Sequence, residues 1–556
     1  MSRFDETFDW VVVGSGAGSM ASALVMRGAG KSVAILEKTA LVGGTTAKSG
    51  GVIWVPANRF ILADGEADSV AAGIAYLEAV CEDLPGSSRE KRAAYVTQAT
   101  RMIDFLVAQG IELERGSDFW PDYYDELPGG CKTSRTVVAK PFNKKELGAW
   151  EDRLRPGFLP MKIRLDDGLK LAFVAKSWKI KALFAKVALG MVAAKLLGQR
   201  WVTAGAALQG RMLQASLKAG ADIRTDSPVG ELVVEDGAVT GVVTQRDGQP
   251  WRIGARLGVL VNAGGFAQNQ AMRDRYMPGT RAEWSQVPEG DTGDLHREIE
   301  RIGGVLGQMD QMVGYQLTRS PGWDQGYIAP PAQGMTGKPH AILVDQSGVR
   351  YMNEGGSYEL YCQTMRERHA SVPAVPSWAL FDAHYAADYA VGGVRLGRKT
   401  AGWAGARYLK QADSIAELAG MIGVDPQVLA ATVARWNALV DQGVDEDFGR
   451  GARAYDQWLG DPFHGPNPAL GRIDQAPFYA VDVVPGDVST YGGAVTDAYG
   501  RVTRADGEAI VGLYATGVST ASVMGGVYPG AGSSIGPSLT FGYVAARHAA
   551  GLGNQT

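Results

Sequence analysis

Between Trp10 and Glu37 the chain commits itself to one kind of fold. Trp10-Val11-Val12-Val13 is a short apolar run of the sort that forms a parallel strand buried on both faces. It leads into Gly14-Ser15-Gly16-Ala17-Gly18-Ser19, then a helix-compatible stretch from Met20 to Arg27. A second strand, Lys31 to Leu36, ends at Glu37. This order is a βαβ unit with a dinucleotide fingerprint, Ser19 standing in the third glycine position. Gly14 permits the tight turn, and Gly16 lets backbone approach a pyrophosphate. The helix N-terminus offers free N–H groups and a positive dipole to the anion. Glu37, about 20 residues further on, is placed to accept hydrogen bonds from ribose hydroxyls. A surface glycine turn is the simpler reading of the loop alone, but it does not account for strand, helix, second strand and acid in register.

The next segment separates the dinucleotides. Leu41-Val42-Gly43-Gly44-Thr45-Thr46-Ala47-Lys48-Ser49-Gly50-Gly51 is a second small-residue loop directly after the acid. A nicotinamide protein has no need of it. A flavin protein does, because the longer cofactor runs past the first strand and needs further backbone contacts. Val261-Asn262-Ala263-Gly264-Gly265-Phe266 and Leu513-Tyr514-Ala515-Thr516-Gly517 each read as an apolar strand ending in a similar turn. The 74 glycines, near twice the average usage of roughly 7%, are aperiodic and fall in such turns. Between these segments, Glu231 to Gln245 alternates around Asp236-Gly237, which signals a hairpin.

The bulk properties bound the rest. A length of 556 residues suggests two to four domains. The net charge of −4 leaves no global basic footprint for nucleic acid. Three cysteines far apart (Cys81, Cys131, Cys362) exclude a disulfide framework and a CxxC zinc motif. They read as buried small hydrophobes in a reducing compartment, and no metal motif stands out. The acidic N-terminus lacks an apolar core, so a secretory signal is not expected. No stretch reaches the roughly 18 uncharged apolar residues of a spanning helix. The expectation is a cytoplasmic protein.

The succession GxGxxG, GGT, AGG and ATG resembles the fumarate reductase/succinate dehydrogenase-like flavoprotein superfamily over most of the chain. That resemblance implies an α/β fold: a Rossmann-like FAD-binding domain with an inserted α+β catalytic domain. FAD contacts are then expected at Gly14, Ser15, Gly16, Ala17, Gly18, Ser19, Glu37, Lys38, Thr39, Gly44, Thr45, Thr46, Ser49, Gly50, Gly51, Pro228, Ala263, Gly264, Gly265, Asn269, Asp294, Gly517, Ser534 and Ile535. The GGTT loop has no histidine to tether flavin, so FAD is expected to bind non-covalently. The six histidines are scattered and match no dicarboxylate-binding cluster.

Tyrosines are more informative. Trp120-Pro121-Asp122-Tyr123-Tyr124, Asn353-Glu354-Gly355-Gly356-Ser357-Tyr358 and Tyr528-Pro529-Gly530-Ala531-Gly532 resemble motifs of the 3-ketosteroid Δ1-dehydrogenases. The resemblance places the family's catalytic set on Tyr123, Tyr358, Tyr528 and Gly532. Ser357 stands where that family often has proline. Oxidising a C–C bond beside a ketone removes a proton and a hydride from neighbouring carbons. The carbon next to the carbonyl is acidic only if charge on the oxygen is stabilised, a role for the Tyr528 hydroxyl and the Gly532 N–H. Tyr358 is the expected base. A free tyrosine with a pKa near 10 is a poor base, so the family pattern enlists Tyr123 to assist it. The expected substrate is a 3-ketosteroid, sterol-type side chains included, and the electron acceptor a quinone or similar. A Δ4-(5α)-ketosteroid dehydrogenase and a non-catalytic flavin-fold docking protein are the rival readings.

Residues 168–201 carry six lysines and one arginine and no acid. Phe173, Ile180, Phe184, Val187 and Met191 share one helical stripe, and Val174, Trp178, Val192 and Leu196 a second. Either one stripe packs on the protein while the other meets lipid, or Gly190 breaks the helix. The basic, Trp/Phe/Leu-bearing segment predicts peripheral attachment to an anionic membrane, at its inner face. It aligns the chain most with cholest-4-en-3-one-type members of the family. The expected domains are 1–280 with 483–556 for FAD, and 281–482 for the catalytic insert.

Overall fold

A computed structural model describes residues 4–116, 120–321, 328–397 and 400–553. Its organising element is a mostly parallel sheet. The strand Glu6–Val13 lies between Val33–Leu36 and Gln249–Val261, and Ala509–Ala515 adds beyond the latter. Asp222–Arg224 extends the other edge. Alternate residues of the first strand feed opposite cores: Trp10 and Val12 join one, Val11 and Val13 the other. That is why the run is apolar throughout rather than alternating.

The register matters for function. Val13 pairs with both Leu36 and Val261, and Val261 with Ala515. Four carboxyl ends therefore align in one row, and all four glycine-bearing loops leave from it. Ligands of open α/β sheets sit at such a row. The expected hairpin forms: Glu231–Glu235 pairs with Ala238–Arg246 around Asp236-Gly237, and the pair continues onto Gln249–Val261.

Three local expectations shift. The first helix spans Ala17–Gly28 and so begins inside the glycine motif rather than at Met20. The second strand begins at Val33 because Ser32 is taken by Asp9, whose Oδ2 accepts from its N–H (2.8 Å) and hydroxyl (2.9 Å). The GGTT loop winds into a short helix, Gly44–Lys48. The first helix packs on the last, Ile535–Ala549, through backbone at Gly18 and Gly542, where any Cβ would collide.

A second, antiparallel sheet orders Ala341–Val344, Ser377–Phe381, Phe478–Val483 and Lys410–Ala412. Its two faces carry separate apolar cores, one around Phe381, Tyr385 and Tyr479, the other around Leu380, Leu418 and Trp436.

Residues 168–201 form short turns and one long helix, Trp178–Leu196, which passes through Gly190 unbroken. Neither expected stripe packs along its length. Phe173 and Ile180 are held by the protein, while Phe184 and Met191 of the same stripe are exposed, as are Trp178, Val192 and Leu196 of the other. Ile180, in the helix's first turn, is its one buried residue, and Leu183 and Val187 are half-buried. The basic residues are not all unpaired: Lys170 meets Asp167, Arg200 meets Glu151 and Asp152, and Lys176 bridges Asp388 (2.8 Å) and Asp461 (2.5 Å). Their partners come from outside the segment, which its own sequence could not show.

Candidate active site

One cavity of about 1670 Å³ runs from the row of glycine loops into the space between the two sheets. It exceeds the roughly 300–1,000 Å³ of an ordinary small-molecule pocket and has room for a dinucleotide and a fused-ring substrate together. Gly14, Ser15, Gly16, Glu37, Lys38, Thr39, Gly44, Thr45, Thr46, Ser49, Gly50 and Gly51 all line it. So do Ala263, Gly264, Gly265, Asp294, Ser534 and Ile535. Gly14 has φ +95°, and a Cβ there would strike the carbonyl of Asn262, so no other residue fits.

Glu37 is fixed rather than free. Its carboxylate accepts from the Ser15 hydroxyl (2.5 Å) and from the N–H and hydroxyl of Thr39 (2.9 Å each). The Ser15 hydroxyl in turn accepts from the Gly43 N–H (2.9 Å), tying the first glycine loop to the second. Lys38 pairs with Asp294 at 2.8 Å.

Six expected contacts do not line the cavity. Ala17, Gly18 and Ser19 are buried in the first helix. Asn269 caps the helix Gln270–Tyr276 and donates to the Thr292 carbonyl (2.9 Å). The Pro228 carbonyl accepts from Thr244 Oγ1 (2.9 Å), while its neighbour Val229 lines the cavity. Gly517 (φ +62°) sits against Asn262 and Ser538, behind the wall.

Two lining residues carry no sequence motif. Arg155 donates to Thr39 Oγ1 (3.0 Å), and its buried Nε has no partner among the described residues. Burial pushes the Asp291 carboxyl up to about 7, and its Oδ1 is likewise unpartnered. A half-buried cation and a buried, protonatable acid, each with an unmet hydrogen bond beside glycine loops, suit a cofactor that is both anionic and polar. Glu37→Ala is expected to lower FAD retention on gel filtration, and acid precipitation of the wild type to leave all flavin in the supernatant.

Past the glycine loops the wall is aromatic. Tyr358 lies 5.5 Å from Tyr123 and 5.3 Å from Tyr528, ring centre to ring centre, and Tyr123 lies 6.1 Å from Tyr528. All three, with Gly532, line the cavity. The Tyr358 hydroxyl is engaged by those of Tyr123 and Tyr528, and burial holds its pKa well above the ordinary tyrosine value. Burial does the same to Tyr123. The Tyr528 hydroxyl accepts from Ser534 Oγ at 3.2 Å.

Each motif owes its position to a buried polar anchor. Asp122 accepts from Trp54 Nε1 and pairs with Arg135, both at 2.7 Å, and its carboxyl is pushed up to about 6 by burial. The Tyr123 N–H donates to the Pro529 carbonyl at 2.9 Å, fastening the first tyrosine motif to the third. Glu354 pairs with Arg350 (2.7 Å), which also grips Asp445 (2.6 Å); this knot holds the loop that delivers Tyr358 to the first turn of its helix, Tyr358–His369. Gly532 has φ +97°, and an added Cβ would lie 2.5 Å from the Val52 carbonyl oxygen. Among the described residues its amide donates to nothing, and it sits three residues before the last helix begins.

Tyr455, Tyr315 and Gln333 complete the site without any sequence signal. The Tyr455 ring lies 4.2 Å from that of Tyr123, tilted by 38°, and its hydroxyl accepts from Gln333 Nε2 (3.2 Å), while Tyr315 lies 5.4 Å from Tyr358. The cavity then continues to Trp458, Lys338 and Phe463, and ends against Leu169, Phe173, Val174 and Ile180 of the basic segment.

Comparison with known proteins agrees with this geometry. Residues 9–535 match the family model described as "FAD binding domain". A 3-oxosteroid 1-dehydrogenase of Mycobacterium tuberculosis (strain ATCC 25618 / H37Rv) is 36% identical, over 98% of each chain. A 4-oxocyclohexanecarboxylate 2-dehydrogenase of Sinomonas cyclohexanicum is 34% identical over 98% of this chain and 93% of its own. The crystal structure of 3-ketosteroid Δ1-dehydrogenase from Sterolibacterium denitrificans in complex with 1,4-androstadiene-3,17-dione superposes with a TM-score of 0.92 at 32% identity, covering 99% of this chain and 100% of that one. With glycine loops, tyrosine wall and full-length similarity in agreement, the chain belongs to the FAD-dependent 3-ketosteroid Δ1-dehydrogenase family.

Proposed function

We propose that this chain is a 3-oxosteroid 1-dehydrogenase that introduces a C1–C2 double bond into ring A. The observation that carries this reading is the convergence of Tyr123, Tyr358, Tyr528 and Gly532 on a cavity continuous with the glycine loops. FAD, when bound, supplies the hydride acceptor for C1. The Tyr528 hydroxyl and Gly532 N–H hold the C3 carbonyl oxygen and stabilise the charge that develops on it. The Tyr358 hydroxyl oxygen takes the proton from C2. Tyr123 positions Tyr358 and links it to Tyr455 and Gln333, so a proton has somewhere to go within the buried cluster. The apolar walls exclude water from the enolate.

The test is product analysis by NMR after turnover with an artificial electron acceptor that reoxidises the flavin between cycles. A 3-keto-4-ene steroid should yield the 1,4-diene. Conversion only of a 5α-saturated steroid to the 4-ene would favour the Δ4-(5α) reaction, and no bleaching of the flavin by any C19 to C27 ketosteroid would favour a non-catalytic protein. A 4-oxocyclohexane carboxylate belongs in the same panel, because a relative 34% identical to this chain is named a 4-oxocyclohexanecarboxylate 2-dehydrogenase and the chemistry beside the ketone is of the same kind.

Two further assignments belong to this reading. Residues 1–280 with 483–556 form the FAD-binding domain and 281–482 the catalytic insert. The parallel strands of the large sheet come from the first set; the four-stranded sheet comes from the second, its last strand running to Val483. The basic segment docks on anionic lipid. Support comes from the exposure of Trp178 (82%), Leu189 (72%) and Leu196 (82%) on one helix and of Leu197 (71%) just past its end. Lys179, Lys186 and Lys195 form no ion pair among the described residues. No helix of the described residues is long and apolar enough to cross a membrane, so attachment is peripheral, at the inner face. In this reading the cavity, which ends against the start of this helix, receives a sterol leaving the bilayer. Replacing Trp178, Leu189 and Leu196 with Ser should abolish flotation with anionic vesicles while FAD content and C19 turnover persist. Equal flotation would assign the helix to another partner. Salt should weaken wild-type flotation only in part, since each lysine contributes about 1 kcal/mol that is screened and the apolar part is not.

A further inference from the structure

Charge is divided unevenly along the cavity. Its acidic lining residues, Glu37, Asp291 and Asp294, all stand at the cofactor end. Beyond them the described wall carries Lys132, Lys170, Lys179, Lys338 and Arg395, and no acid. Four of these cations have their charge met. Lys132, Lys179 and Arg395 are exposed to water, and Lys170 pairs with Asp167 at 3.5 Å. Lys338 is different: it is half-buried and forms no ion pair among the described residues.

The Lys338 ammonium donates to the carbonyls of Leu459 and Gly460, the latter at 2.7 Å, and lies 4.7 Å from the centre of the Phe173 ring. An ammonium has three N–H groups, so one remains without an oxygen. Asp461 is close enough to act on Lys338 through its charge, but its oxygens are occupied. Oδ2 accepts from Lys176 and from the Tyr389 hydroxyl (2.5 Å each), and Oδ1 accepts from the Phe463 N–H (2.8 Å). Burial accordingly pushes Lys338 down to about 8. A cation on a cavity wall with too little compensation is stabilised by an anion brought in with the ligand. Capping the helix Ala454–Leu459 accounts for the two carbonyl bonds, but not for the remaining N–H.

The position suits the far end of a substrate. Tyr455, beside Tyr123, lies on that same short helix, and Leu459 follows it by four residues, about 6 Å. With a 3-ketone held at Tyr528 and Gly532, the cavity that continues past Tyr455 is left for the remaining rings and the C17 substituent. We propose that Lys338 is an anion anchor for the substrate, and that the chain takes 3-ketosteroids whose C17 side chain ends in a carboxylate. This rests on the steroid reading of the site and adds to it a choice of side chain.

The test compares a C24 3-keto-4-ene steroid acid with its own methyl ester, which differs in charge and hardly in shape. Anaerobic single-turnover reduction of FAD-loaded enzyme, run against steroid concentration, separates half-saturation from the limiting rate. The wild type should half-saturate with the acid at a concentration at least tenfold below that for the ester, as expected for one charge-assisted hydrogen bond. Lys338→Met should bring the two values together, and Lys338→Arg should keep most of the difference. A purely structural lysine would raise both values alike in Lys338→Met and leave their ratio unchanged; that result, or equal half-saturation in the wild type, would overturn the anchor. The wild-type comparison needs no variant to fold. Bleaching by both steroids at equal concentrations would remove the anchor alone, whereas no bleaching by either would remove the dehydrogenase reading with it.

Discussion

Tyr358→Phe should retain FAD, bind steroid, and reduce its flavin about 10² to 10⁴ times more slowly than the wild type, the range expected for loss of a positioned general base. The ring is packed between Tyr123, Tyr315 and Tyr528, so removing one oxygen leaves the packing in place. The measurement is anaerobic single-turnover reduction, which isolates proton and hydride removal from reoxidation. The structure adds a pH dependence. Tyr358 is held neutral well above the ordinary tyrosine range, chiefly by burial and then by its tyrosine neighbours. Its ionised fraction below that pKa rises tenfold per pH unit. The wild-type reduction rate should therefore climb steadily from pH 6 to 9 without levelling. A plateau below pH 8, or near-normal reduction by the variant, would move the base to another residue.

How much of this was legible in advance differs by element. The Rossmann core announces itself because its signals are local: an apolar strand, a glycine turn and an acid follow one another within thirty residues, and the parallel register of Val13, Leu36, Val261 and Ala515 follows from burial on both faces. The tyrosine motifs were readable for a different reason. Two of the three carry their own anchor within a few residues, Asp122 for Tyr123 and Glu354 for Tyr358, so the pattern reports a local structure. Tyr455, Gln333 and Arg155 have no such companions. They reach the site because distant segments pack there, and a single tyrosine, glutamine or arginine in sequence means nothing by itself.

The basic segment shows the same limit from the other side. Periodicity found two apolar stripes and suggested that one would pack. Phe184 and Met191 of one stripe and Trp178, Val192 and Leu196 of the other instead turn outward, while Phe173, Val174 and Ile180 reach the protein. Charge counting within the segment also missed Asp388 and Asp461, which clamp Lys176 beside Tyr389 and fasten the segment to the region around the four-stranded sheet. Long-range pairing is the part of a fold that spacing rules do not reach.

Tyr528→Phe should lower the reduction rate by about 10² to 10³, or about 2.7–4 kcal/mol of transition-state stabilisation, with a smaller effect on steroid affinity. The asymmetry follows from where the charge is. A ground-state ketone oxygen is a weak acceptor, whereas the enolate oxygen carries most of a negative charge, so losing the donor hurts the transition state most. Gly532 cannot compensate: its backbone is fixed at φ +97° with Val52 and Trp54 against it, and it offers one N–H only. Ser534 donates to the Tyr528 hydroxyl at 3.2 Å, which turns that hydroxyl's own proton toward the cavity. Ser534→Ala should therefore give a milder version of the same defect, and Tyr528→Phe with Ser534→Ala should be no worse than Tyr528→Phe alone. Fully additive losses in the double variant would mean that Ser534 acts on the substrate or FAD directly. An unchanged rate in Tyr528→Phe would leave the carbonyl oxygen with a different donor.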